Sequence, residues 1–269
     1  MSRHTSAQSR LSGLFAQCRD EGRAALMGYL PVGFPSVDES LTTMATMVDS
    51  GCDVVEIGVP YSDPVMDGPT VAQAAFEALN NGVRVRDVFV AAETVAAAGA
   101  QPVVMTYWNL VLKYGVDAFA RDLAAAGGVG IITPDLIPEE AAAWEAASDA
   151  HGLDRIYLVA PSSTPERLAM TVEHCRGFVY AASTMGVTGA RDSVSSMAPE
   201  LCARVREHSD IPIGVGLGVR NGAQAAEIAE YADGVIVGSA IISAFRAGGQ
   251  AGAAKLVSEL AEGVRGEVR

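Results

Sequence analysis

Short apolar or β-branched runs alternate along the chain with longer segments rich in Ala, Leu and Glu, and Gly, Pro or a capping residue marks each change of period. The short runs predict eight strands: Ala25 to Leu30, Asp53 to Ile57, Pro102 to Tyr107, Val129 to Thr133, Arg155 to Val159, Phe178 to Ala181, Pro212 to Val215 and Gly234 to Val237. A helical segment follows each. Ser36 before Asp38 and Glu39, Pro138 with Glu139 and Glu140, and Thr164 with Pro165 and Glu166 read as helix starts. Gly51, Gly99 and Gly127, each closing an apolar-periodic stretch, read as stops. Leu11, Leu14, Phe15 and Cys18 recur at helical spacing ahead of the first strand, which predicts an extra N-terminal helix across the bottom of the fold.

Regular strand-helix alternation specifies an α/β fold with parallel strands. With 269 residues, eight evenly spaced units favour a (β/α)8 TIM barrel, one domain over residues 1–269, above an open doubly wound sheet. The 28 glycines and the Ala-rich helices suit closely packed layers and short turns.

The formal net charge of −13, with no compensating Lys/Arg run, argues against binding to nucleic acid or an anionic membrane. A phosphate-bearing ligand would need close, directed donors such as backbone N–H groups. The four cysteines, Cys18, Cys52, Cys175 and Cys202, lie far apart and read as free thiols. Neither an apolar leader nor a run of spanning length is visible, so a cytoplasmic location is expected.

In such a barrel, polar residues at the C-terminal ends of strands are the candidates for chemistry. Alternation in D-V-V-E-I-G turns Val55 and Ile57 toward the helices and Glu56 into the barrel, where a carboxyl should titrate high enough to act as a general acid or base. The loop that follows, V-P-Y-S-D-P-V-M-D-G-P-T, brings Asp63 and Asp67 to the same face. Loop aspartates commonly cap turns, a role that suits Asp63 better than Asp67. Across the mouth, G-V-G-L-G (Gly214 to Gly218) and a short helix beginning near Gly238 and Ser239 suggest a phosphate site built from backbone N–H groups, although glycine also serves tight turns. A long polar stretch from Thr184 to about Ala198 is a candidate lid. The two lysines, Lys113 and Lys255, miss the strand ends, and no His/Cys cluster offers a metal site, which leaves carboxylate acid-base catalysis.

The stretch E-I-G-V-P-Y-S-D-P-V-M-D-G-P-T (Glu56 to Thr70) strongly resembles the signature of the tryptophan synthase alpha subunit family. Y-W-N from Tyr107, P-D-L-I-P-E-E from Pro134, Y-A-A-S-T-M-G-V-T-G from Tyr180, G-V-G-L-G-V and V-G-S-A-I-I extend the likeness in order along the chain. The resemblance implies retro-aldol cleavage of indole-3-glycerol phosphate, the last stage of tryptophan biosynthesis. It makes Glu56 the mobile acid/base and Asp67 the partner of the indole nitrogen, with Tyr180 beside Glu56 and Thr188 in the lid. It assigns phosphate to Gly189, Gly218, Gly238 and Ser239, and an apolar indole pocket to Tyr29, Tyr107, Ile132 and Leu158. It also implies an α2β2 complex with a beta subunit that holds pyridoxal phosphate, none being expected in this chain, with contacts around Asp63 and Thr188. The competing readings are another phosphate-binding barrel, an isomerase or epimerase, and a non-catalytic subunit that only activates a partner.

Overall fold

The computed structural model describes residues 9–182, 197–216 and 218–267. Its strands are β1 (Ala25–Pro31), β2 (Val54–Gly58), β3 (Gln101–Met105), β4 (Gly130–Ile132), β5 (Asp154–Ile156), β6 (Leu158–Val159), β7 (Val179–Ala182), β8 (Ile213–Gly216) and β9 (Gly234–Val237). All of their pairings are parallel, in the order β5-β4-β3-β2-β1-β9-β8-β7-β6. The two ends of that order, β5 and β6, are separated in sequence only by Tyr157, so the sheet closes on itself. The run expected as one fifth strand, Arg155 to Val159, is therefore two: β5 pairs with β4 and β6 with β7. With that split counted as one unit, the predicted eight-unit barrel is observed.

The helices are α1 (Arg10–Asp20), α2 (Val37–Asp49), α3 (Pro69–Asn80), α4 (Arg86–Ala98), α5 (Trp108–Tyr114), α6 (Val116–Ala125), α7 (Ala142–His151), α8 (Pro165–His174), α9 (Met197–Arg206), α10 (Gly222–Ala229) and α11 (Ser239–Val264). Ser36 and Thr164 cap α2 and α8 as their sequences indicate, accepting from Glu39 N at 3.3 Å and Arg167 N at 3.2 Å. Gly99 ends α4 at φ 103°, which an L side chain rarely adopts. Pro138, by contrast, opens only a 3₁₀ turn, Pro138–Glu140, and α7 starts at Ala142. The helix expected to be short at Ser239 continues to Val264, but Gly248 and Gly249 leave helical geometry and divide it.

Strand alternation separates two apolar layers. Leu26, Val55, Ile57, Val104 and Val235 face the helices, whereas Ala25, Met27, Val54, Val103, Ile156, Phe178 and Ile236 fill the barrel. Helix α1 closes the bottom of this interior with Leu11, Phe15 and Cys18, and the Phe15 ring lies 5.7 Å from that of Phe178. Ser9 caps α1 and donates to Asp154 at the start of β5, and Arg10 donates to the carbonyls of Gly127 and Gly128. Arg23 and Asp53 tie the starts of β1 and β2 together at 2.7 and 2.9 Å, while Asp53 also accepts from Leu26 N. No helix among the described residues is long and apolar enough to cross a membrane.

Candidate active site

Glu56 lies on the inner wall of β2, level with Tyr29 on β1 and Val103 on β3. It is 1% exposed, and its Oε1 finds no hydrogen-bond partner. Burial alone pushes its carboxyl up to about 8. An ion-paired core glutamate would titrate low; Glu56 is instead a neutral acid at pH 7 in a pocket that makes its ionised form costly. Such a group can give a proton and take one back near neutral pH.

Asp67 comes from the loop between β2 and α3. Burial raises its carboxyl as well, but a hydrogen bond from the Tyr107 hydroxyl opposes the rise. Tyr107 follows the end of β3, and its hydroxyl also accepts from Met66 N at 3.1 Å. The Tyr107 ring stacks on Tyr61 at 5.0 Å, so one side chain pins both edges of the Asp67 loop to β3. Asp135, in the loop after β4, in turn accepts from Trp108 N at 2.9 and 3.1 Å and fixes the start of α5 just behind Tyr107. Sequence reasoning gave Asp135 no role; its capping partner lies 27 residues away.

The other predicted wall residues meet at this mouth. Ile132 and Tyr180 belong to the interior layer and Leu158 packs against it, beside Tyr180 in register. Tyr29 is 8% exposed, and its ionisation is opposed by burial and then by the charges of Asp67 and Glu56. Tyr180 is disfavoured in the same way by burial, Glu56 and Asp67. Both phenols thus remain neutral donors around the two carboxyls.

Glycines make room for these rings. A Cβ on Gly58 would overlap the Tyr29 hydroxyl, and one on Gly216 would overlap that of Tyr180. Gly214 is similarly closed off, since a Cβ there would stand 2.9 Å from the Phe178 ring. Two glycines of the G-V-G-L-G cluster therefore serve side-chain packing. Gly218 remains for backbone approach at φ 70°, and Gly238, which precedes α11 without a side-chain cap, leads into Ser239 at the uncapped helix start. These two strand ends are neighbours, since β8 pairs with β9. First-turn N–H groups there supply anion donors without Lys or Arg.

Thr188, Gly189 and the candidate lid up to residue 196 lie outside the described residues, as does Leu217. Asp63 is on the exposed part of the β2 loop, where it accepts from Ser62 at 2.6 Å, two residues before Val65, itself 71% exposed. His151 and His174 pair with Asp117 and Glu145 on the helical shell, away from the mouth. The four cysteines are buried free thiols.

A family model described as tryptophan synthase alpha chain matches residues 15–266. The tryptophan synthase alpha chain of Nocardia farcinica is 70% identical over 260 residues, covering 97% of each chain. Among solved structures, a chain of Mycobacterium tuberculosis tryptophan synthase superimposes with a TM-score of 0.93 at 65% identity, over 96% of this chain and 99% of that one. The tryptophan synthase subunit alpha of Legionella pneumophila does so at 0.85 and 30% identity, over 97% and 100%.

Proposed function

The chain belongs to the tryptophan synthase alpha chain family and is the alpha subunit of an enzyme of tryptophan biosynthesis, and on that premise we propose that it cleaves indole-3-glycerol phosphate to indole and glyceraldehyde 3-phosphate. The observation that carries this reading is Glu56: a buried, unpaired carboxyl held neutral up to about pH 8 at the C-terminal mouth of the barrel.

Glu56 donates its proton to C3 of the indole ring, which leaves an indolenine whose nitrogen is positively charged. The Asp67 carboxylate, whose ionised form the Tyr107 hydroxyl favours against the upward pull of burial, faces that N–H and stabilises the charge. Glu56, now a carboxylate, accepts the proton of the hydroxyl on the side-chain carbon attached to C3. The bond between C3 and that carbon breaks, its electrons return to the ring nitrogen, and indole and the aldehyde separate with Glu56 neutral again. The indole ring itself serves as electron sink.

Substrate orientation follows from the two ends of the mouth. Phosphate sits on the N–H groups at Gly218, Gly238 and Ser239, joined by Gly189, and the ring lies among Tyr29, Tyr107, Ile132, Leu158 and Tyr180, with Thr188 closing over it. The exposed loop around Asp63 and Val65 meets a beta subunit in an α2β2 assembly, and pyridoxal phosphate belongs to that subunit, in the cytoplasm.

The test is indole release from indole-3-glycerol phosphate by the purified chain, alone and with a beta subunit. Turnover by the chain alone that rises with the partner is expected. No turnover in either case, or turnover of ribose phosphates instead, would overturn the reading.

A further inference from the structure

Helix α11 carries the uncapped start at Ser239, yet it is not one continuous rod. Gly248 and Gly249 leave helical geometry, the second at φ 60°, so the part that begins at Ser239 ends after Ala247 and takes its direction from its own contacts. Ile241 and Ile242 in this part are fully buried, and Phe245 meets the ring of Phe34 edge-on at 5.7 Å. Phe34 lies in the turn between β1 and α2 and is 2% exposed. Arg246, the next residue after Phe245, lies over the same ring, its guanidinium carbon 4.7 Å from the ring centre. Its Nη2 donates to Glu77 Oε1 on α3 at 2.8 Å. Both members of that ion pair are half-buried, so solvent screens it only in part.

The element on the other side of this contact is the one that follows Asp67. Gly68 precedes α3, Pro69 opens it, and Glu77 lies about two turns further on. The far end of α3 is fastened to the same turn that holds Phe34: Asn81 Nδ2 donates to Pro35 O at 2.5 Å, and a Cβ on Gly33 would stand 2.8 Å from Val83. Arg246 therefore braces the first part of α11 against both α3 and the β1–α2 turn. It sits about two turns, or about 10 Å, along the helix from Ser239, so a pivot there carries the first-turn N–H groups with it. An anion tolerates little of that movement. Hydrogen bonds from N–H to oxygen span only about 2.7–3.2 Å, and a misplacement of about 1 Å can cost on the order of 100-fold.

Resting on the phosphate site proposed above at Gly238 and Ser239, we propose that Arg246 is a positioning residue for the phosphate. Through Glu77 and Phe34 it fixes the angle at which the start of α11 presents its N–H groups, and it makes no contact with the substrate itself. Glu77 gives the proposal a sign of its own. Removing its negative charge would strengthen phosphate binding if only long-range attraction counted, whereas loss of the brace weakens it.

Glycerol 3-phosphate is titrated into the full chain by calorimetry, and indole release from indole-3-glycerol phosphate is followed with the same proteins. Arg246→Ala should weaken glycerol 3-phosphate and raise KM by about three- to tenfold, the combined scale of a half-buried ion pair and a cation–π contact, with kcat held within about twofold. Arg246→Lys, which keeps a cation for both Glu77 and Phe34, should return most of the loss. Glu77→Gln should weaken glycerol 3-phosphate by a smaller factor, and that effect should vanish when Arg246 is already Ala. It also decides the matter if Arg246→Ala fails to fold. Glu77→Gln binding glycerol 3-phosphate as tightly as the parent or more so, or Arg246→Ala lowering kcat with KM unchanged, would overturn the positioning role and leave the phosphate site standing. A parent that itself does not bind glycerol 3-phosphate would remove the phosphate site and the role of Arg246 with it.

Discussion

Replacing Glu56 by Gln removes an ionisable group from the barrel mouth and leaves its size almost unchanged, so its effect on stability can be worked from the burial. In the unfolded chain the carboxyl titrates at its ordinary 4.5, and in the fold at about 8. The folded state therefore holds this proton more tightly, and the stability tied to it is complete below pH 4.5 and lost as pH rises through 8. At roughly 1.4 kcal/mol per pH unit, the loss between those limits reaches about 5 kcal/mol. Gln carries no such term. Urea unfolding of both proteins at pH 5, 7 and 9 isolates it, because every other titration cancels in the difference. Glu56→Gln should gain on the parent by roughly 4 kcal/mol between pH 5 and 9, a large fraction of a domain's stability, while losing activity. A difference that stays flat across that range would refute the buried neutral acid, and with it the proton donor of the proposed mechanism.

Asp67→Asn should lower indole release by at least about 100-fold with the melting temperature preserved, as measured by steady-state assay beside circular dichroism. Tyr107→Phe deletes the hydroxyl that holds the Asp67 carboxyl down and receives Met66 N. The acidic limb of its pH–rate profile should move to higher pH, and a profile that does not move would remove Tyr107 from that role. Gly238→Val would place a side chain against the Tyr29 ring, from which even a Cβ stands only 3.1 Å. KM for the phosphorylated substrate should rise at least about tenfold, and an unchanged KM would put the phosphate elsewhere. Gly214→Ala, whose added methyl meets Phe178 at 2.9 Å, should cost about 1–3 kcal/mol by overpacking. Adding Phe178→Leu should return part of that loss in a double-mutant cycle, and strictly additive losses would deny the contact.

The strands were legible because parallel strands buried on both faces read as continuous apolar runs, and the inward turn of Glu56 followed from alternation within D-V-V-E-I-G. What sequence could not reveal is set by partners distant in the chain. Nothing in D-R-I-Y-L-V marks a break, since β5 and β6 separate only because the barrel closes between β4 and β7. Likewise Tyr107 meets Asp67 through the curvature of the whole mouth. The glycines show how such a signal can nonetheless be recovered. Gly214 is level with Tyr180 on β7, yet takes up the ring of Phe178, two residues earlier; Gly216 is level with Ala182 and takes up Tyr180, again two earlier. Gly58, level with Pro31 on β1, accommodates Tyr29 at the same offset. Side chains on strands lean along the strand direction, so an inward aromatic on one strand reaches the position two steps further on its neighbour. There a Cβ would collide. The pattern of an inward aromatic followed two register steps later by glycine on the adjacent strand therefore follows from the geometry of the wall. It also sets Gly58, Gly214 and Gly216, each two register steps past a ring, apart from Gly218, whose φ of 70° favours glycine, and from Gly238, which lies against the Tyr29 ring and also precedes the uncapped start of α11, where an anion can bind.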